Sequence, residues 1–172
     1  PPGAPAARGL VTANVAGRGT YLGEMQIDPA GNPAAADEFT TRVTLTSVRD
    51  GSTITRIGRS AVYGGYAWRG RSSGNASKNP TPDDLSSETR EVMWIAPDHS
   101  SAEGRWFWGQ YQEFGFDVKL HRPGASPIVA GLDRSSLKSD SQSNRIRLLG
   151  YNFPAAVTPA DLNLGTGVTV RS

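Results

Sequence analysis

Cysteine is absent from the 172 residues. That excludes a disulfide framework, a zinc finger, a thiolate-bound iron–sulfur cluster and covalent haem attachment through a CxxCH motif. The two histidines, His99 and His121, are too few for a multi-histidine metal site built by this chain alone. No apolar run approaches the ~18 residues that a membrane-crossing helix needs. The opening PPGAPAARG lacks the charged-then-apolar layout of a secretory signal. A Gly-rich phosphate loop, G-x-S-x-G and HExxH are all missing. Asp161-Leu162-Asn163-Leu164-Gly165 has the oxygen content of a metal loop. It lacks the sixth-position glycine and closing glutamate of an EF-hand, and reads as a turn.

The chain does have turn residues and alternation. It carries 20 glycines and 12 prolines, a share well above the roughly 12% of average usage. The 18 basic and 16 acidic residues leave a net charge of +2. Arg42, Arg49, Arg56, Arg59, Arg69, Arg71 and Arg90 are interleaved with Asp and Glu. That pattern is not the basic stripe of a nucleic-acid binder.

Residues 1–17 are rich in Ala, Gly and Pro and read as a flexible tether or loose strand, frayed at least to Gly9. RGTYLGEMQI reads as a first strand, with Tyr21 and Met25 on one face, and residues 28–37 as a turn. EFTTRVTLTSV is the clearest strand: Phe39, Thr41, Val43 and Leu45 share one face, and Thr40, Arg42, Thr44 and Thr46 the other. Asp50-Gly51 then predicts a hairpin into TITRIGRSAVY. There Ile54 and Arg56 share a side, the inner face is less clear, and Gly58 is a candidate bulge. AVYGGYAWRG reads as a coiling strand, and residues 70–87 as a long polar loop. TREVMWIAPD sets Val92 and Trp94 opposite Met93 and Ile95, a strand covered on both sides. EGRWFWGQYQEFGFDVKLHR carries Trp106, Trp108 and Tyr111 with Phe107 opposed. A turn or bulge is expected over Gln112–Gly115, then Phe116, Val118 and Leu120 alternate against Asp117, Lys119 and His121. The expectation is an all-β fold, an antiparallel meander or barrel of about six strands over 18–122. Residues 127–172 read as a partial immunoglobulin-like module, about half of the roughly 100 residues such a sandwich needs.

Candidate chemistry is sparse. Glu24, Glu91, Glu103, Glu113 and Asp117 are the candidates for the paired acids of a glycosidase. Glu91 and Glu103 lie on strands that pair across the 97–100 turn, but Arg90 and Arg105 beside them favour cross-strand charge pairing on a solvated face. His121 reads as structural and His99 as solvated. Trp68, Trp106, Trp108 and Tyr111, with Arg69 as a carboxylate anchor, form the candidate contact set for a ligand or partner. Packing of the rings inside a small barrel is the competing explanation. On the first view the chain is a glycan- or small-ligand-binding module.

GTYLGEMQI, DEFTTRVTLT, DGSTITRIGRSAVYGGYAWRG and REVMWIAPDHSSAEGRWFWGQYQEFGFDVKLHR, in that order, resemble the second domain of the alpha subunit of quinohemoprotein amine dehydrogenase. NRIRLLGYNFPAAVTPADLNLGTGVTV resembles the start of that subunit's third, immunoglobulin-like domain. The resemblance implies a periplasmic assembly that oxidises primary amines. In it a dihaem cytochrome domain precedes three β domains, and a β-propeller subunit and a small subunit complete the complex. Haem c and a tryptophan-derived quinone belong to the other domains and subunits, so the resemblance places no catalytic, cofactor-binding or metal-binding residue in this chain. It implies a non-catalytic structural domain with protein partners, a dihaem cytochrome chain or domain among them, and an exported location; the charge pattern and the lack of long apolar runs add the expectation of no nucleic acid and no membrane span.

Overall fold

The computed structural model describes residues 7–31, 37–74, 84–108, 111–124, 126–133, 145–163, 166 and 169, with the side chains of Tyr111, Gln112 and Glu113 excepted. Alternation of small apolar and polar residues, interrupted by Gly-rich turns, produces eight antiparallel strands in sequence order. They are β1 (Ala7–Val15), β2 (Gly19–Pro29), β3 (Glu38–Ser47), β4 (Thr53–Tyr63), β5 (Ala67–Ser73), β6 (Thr89–Ile95), β7 (Ser101–Trp108) and β8 (Tyr111–His121). Each pairs with the next, and β1 also pairs with β8, so the sheet closes into a barrel. Closure leaves no strand edge unpaired. Two short strands, β9 (Ile128–Leu132) and β10 (Leu148–Tyr151), form a separate two-stranded sheet, and a 3-10 turn follows at Pro159–Asp161.

The barrel has eight strands where the sequence suggested about six, and both additions have a physical cause. The segment read as a tether or loose strand contains β1, a regular strand that already includes Gly9. Its inward positions Gly9, Val11, Ala13 and Val15 are small because the interior is crowded there. A Cβ on Gly9 would stand 2.3 Å from Leu120 Cδ1. Low side-chain volume at this seam was read as low order. Residues 1–6 of the tether lie outside the described residues.

The second addition, β5, takes in the end of the expected coiling strand and the start of the expected long loop. Tyr63-Gly64-Gly65-Tyr66 is instead a tight reversal. Both glycines have positive φ, 60° and 80°, and the Tyr66 N–H donates to the Tyr63 carbonyl at 3.2 Å. Two left-handed residues in succession make the hairpin turn that matches strand twist. The polar segment is therefore strand through Ser73, and residues 75–83 lie outside the described residues. Gly58 is no bulge, since it stays in register with Thr41 and Ser72. The irregularity sits between Phe107 and Trp108, where pairing jumps from Gly115 to Tyr111 across Gln112–Phe114. The expected turn at 28–37 starts later, because β2 continues to Pro29, and residues 32–36 lie outside the described ones.

The barrel interior is the core. Tyr21, Met25, Val43, Leu45, Trp68, Met93, Trp106, Trp108, Phe116 and Val118 meet there. β10 is tied to the barrel wall by one residue. The Tyr151 hydroxyl accepts from Gly23 N–H at 2.7 Å and donates to the Val11 carbonyl at 2.6 Å, at the paired position of β1 and β2. Burial raises its pKa above the ordinary phenol value.

Candidate functional site

Period two turns Ile54, Arg56, Gly58, Ser60 and Val62 of β4 inward. Arg56 therefore lies inside a hydrophobic barrel with no solvent exposure. An arginine there needs acceptors for its donors. It donates to the Leu85 carbonyl at 2.5 Å, the Thr89 hydroxyl at 2.7 Å, the Ser72 carbonyl at 2.8 Å and the Ser87 carbonyl at 3.0 Å. These acceptors come from β5, β6 and the segment before β6, so Arg56 pins residues 85–87 to the barrel. Its guanidinium also lies over the Phe116 ring at 5.3 Å. Burial pulls its pKa down to about 10, and the negative charges of Glu91 and Asp84 oppose that shift.

Glu91 is the interior counter-charge. It shares the inward face of β6 with Thr89 and Met93 and is 1% exposed. One carboxylate oxygen accepts from the Ser60 hydroxyl and from the Trp68 indole N–H, each at 2.8 Å. The other oxygen has no hydrogen-bond partner among the described residues, nor do the indole N–H groups of Trp106 and Trp108. The rings around this cluster pack edge-on: Trp106 lies 5.9 Å from Phe116, and Phe39 4.6 Å from Trp68.

A different set of side chains faces out. Trp94 and Tyr66 stack with centroids 5.7 Å apart and are 50% and 56% exposed. The Arg69 guanidinium also lies over Trp94, 4.4 Å from its ring centroid. It is fixed there by donating to the Trp68 carbonyl at 2.8 Å and the Met93 carbonyl at 3.1 Å. Beside this stack a groove of 530 Å³ runs along β4, β5 and β6. A second depression, of 450 Å³, opens where residues 48–52 and 84–86 meet the barrel end. Its carboxylates Asp50 and Asp84 each accept from the N–H and hydroxyl of the serine two residues on, Ser52 and Ser86. Those hydrogen bonds hold both acids below the ordinary carboxylate pKa.

A family model for quinohemoprotein amine dehydrogenase, alpha subunit domain II, matches residues 6–123. The chain belongs to that family. The matched span contains all eight barrel strands and neither β9 nor β10. No curated protein matches the chain.

In this amine dehydrogenase subunit domain, the expected contact residues are distributed across both faces of the wall. Trp68, Trp106 and Trp108 lie inside, at 4%, 0% and 7% exposure. They form no surface platform for a sugar, because inward parity on β5 and β7 commits them to filling the barrel. Arg69 lies outside, on Trp94. Tyr111 pairs with Trp108 at the start of β8, and its side chain lies outside the described residues.

The acid pairs also separate. Glu91 is opposite Trp106, not Glu103, and points inward. Glu103 points outward to Lys119 at 3.7 Å. The solvated charge pairing expected for Glu91 is therefore replaced by burial. Glu24 pairs with Arg8 at 2.9 Å and Asp117 with Arg105 at 3.1 Å, while the Glu113 side chain lies outside the described residues. β6 is exposed at Trp94, so it is not a strand covered on both sides. Asp161 accepts from the N–H and hydroxyl of Thr158 and caps the 3-10 turn.

Among the described residues no group of three or more His, Cys, Asp or Glu converges. Without cysteine the chain does not fit covalently attached haem c, and no step of amine oxidation is assigned to it. No helix among the described residues is long and apolar enough to cross a membrane.

Proposed function

We propose that the chain is a non-catalytic β domain that docks onto other polypeptides of an amine dehydrogenase-like assembly in the periplasm. Family membership supports the assembly, and the Tyr66–Trp94–Arg69 stack carries the docking role. Trp, Tyr and Arg are the residue types that dominate binding at protein interfaces. Here they form one preorganised cluster on the outside of a barrel whose interior is filled by its own side chains. Arg69 is held by two backbone carbonyls, so little side-chain freedom remains to be lost on association. The partners on this reading include the polypeptide that carries the dihaem cytochrome. Residues 127–172 add the first part of an immunoglobulin-like module, with Val129 and Leu132 of β9 exposed for a neighbour.

The test is co-expression of the chain with the remaining subunits of its amine dehydrogenase, followed by mass measurement of the particle purified from the periplasmic fraction. The expected result is a stoichiometric complex from which Trp94→Ser combined with Tyr66→Ser releases the chain as a folded monomer. A complex indifferent to both substitutions refutes docking through this face. A chain recovered alone refutes docking altogether.

A further inference from the structure

The groove beside the docking stack has an unusual charge arrangement. Arg59 stands opposite Arg71, and Arg71 opposite Arg90, so three arginines occupy consecutive places in one line across β4, β5 and β6. Strands lie about 4.8 Å apart, which makes the line roughly 10 Å long at the backbone. All three side chains are exposed. Like charges directly opposite one another destabilise a sheet, and here two such pairs follow in succession. Glu38 partners Arg59, and Glu88 partners Arg71 at 3.1 Å. Exposed pairs of this kind are weak and readily exchanged for a better acceptor. Arg90 has no carboxylate partner among the described residues. This shallow, open groove is lined by Arg59, Arg69, Arg71 and Arg90, with Glu38, Ala61 and Val92 beside them.

We infer that this groove holds an extended acidic segment of a partner polypeptide. Guanidinium groups bind carboxylates through paired, charge-assisted hydrogen bonds, and four guanidinium groups line this one groove. A segment with carboxylates at alternate residues presents them on one side, about 6.6 Å apart, within reach of long arginine side chains. Nucleic acid is disfavoured by the charges themselves. Glu38 and Glu88 already partner two of the three arginines, and the footprint is too short for a phosphate backbone that needs many cations. The inference rests on the docking reading and specifies the chemistry of what docks.

The probe is a fluorescein-labelled heptapeptide with glutamate at alternate positions, titrated by anisotropy against the whole chain at low salt. The expected result is binding at least tenfold tighter than to the same peptide with lysine in place of glutamate, weakening as salt is raised. Arg71→Gln combined with Arg90→Gln should lose at least tenfold in affinity. Arg42→Gln, on the neighbouring strand outside the groove, should leave affinity unchanged. The double variant should also melt no lower than the parent, because it removes like-charge neighbours. An affinity loss without a stability loss separates recognition from folding. Absence of glutamate-peptide binding, equal binding by the double variant, or tighter binding of a 12-nucleotide DNA strand each overturns the inference. If the double variant still assembles with the partner subunits while the Trp94 and Tyr66 substitutions abolish assembly, the acidic occupant is refuted and docking stands. If the peptide binds as expected but no assembly forms, docking falls alone.

Discussion

Replacing Arg56 by methionine tests how one end of the barrel is held shut. Methionine keeps the unbranched aliphatic stem and removes the guanidinium. Four close acceptors then lose their donor: the carbonyls of Leu85, Ser72 and Ser87 and the hydroxyl of Thr89. Hydrogen bonds to a charged group contribute about 1.5–3 kcal/mol each, but a simple sum overstates the loss, because residues 85–87 can turn their carbonyls to water. Glu91, whose hydrogen bonds go to Ser60 and Trp68 and not to Arg56, loses only the longer-range support of a nearby positive charge. We expect a loss of about 4 kcal/mol, a large share of the ~5–15 kcal/mol that stabilises an ordinary domain. For a chain of this size that is a fall in melting temperature of roughly 8–16 °C. Urea unfolding at pH 7, followed by tryptophan fluorescence, reads it directly, since Trp68, Trp106 and Trp108 surround the site. Arg42→Met is the control. Arg42 is exposed on β3, and its loss should stay within ~0.5 kcal/mol. Adding Glu91→Gln to Arg56→Met should restore at least ~1 kcal/mol relative to the sum of the single changes. A loss below ~1 kcal/mol for Arg56→Met would refute the assignment of Arg56 as the pin.

Gly104→Ala should destabilise by about 1–3 kcal/mol or prevent folding: a Cβ there would stand 2.1 Å from the Val92 carbonyl oxygen. Gly124→Ala, with nothing within 4 Å, should be neutral in the same thermal melt. Tyr151 has a raised pKa, so the folded chain keeps its phenol proton where the unfolded chain releases it. Its stabilisation is complete below pH 10 and is lost as pH climbs through the folded value. Tyr151→Phe should remove that alkaline loss and one late-titrating phenol from the 295 nm absorbance curve. His121 is shifted the other way, chiefly by burial and secondly by Lys119. The unfolded chain therefore takes up its proton first as pH drops below 6.5. Stability should decline on acidification through that range, and His121→Asn should flatten the slope; an unchanged slope would show that the ring is fully solvated.

The strands with clean alternation were legible in the residues. Phe39, Thr41, Val43 and Leu45 share the inner face of β3 as read, and so do Phe116, Val118 and Leu120 on β8. β1 was illegible because its inward residues are selected for smallness, and a strand of Gly, Val and Ala lacks the bulky alternation that marks its neighbours. The Gly64-Gly65 reversal was visible as a dipeptide, but its aromatic flanks suggested a strand passing through. Arg56 and Glu91 were hidden by their charge. Parity set Arg56 with Ile54 and Glu91 with Met93, yet a charged side chain argues for water until its partners are known. Those partners come from β4, β5, β6 and the segment before β6, which no local pattern brings together. The exposed stack was hidden for the same reason, since Arg69 and Trp94 come together through the β5–β6 register and Tyr66 joins them from the turn before β5.

The ladder between β1 and β8 joins residues more than a hundred positions apart, as in the contact of Thr12 with Lys119. Non-local pairings of this span make folding slow. A nascent chain can pair its first strand with β2 early, but the other edge of that strand stays open until β8 has been synthesised. Any intermediate before that moment presents two raw edges to its neighbours. The modest segment at residues 7–15 thus acts as the clasp of the molecule, and trimming it would convert a sealed object into an adhesive ribbon.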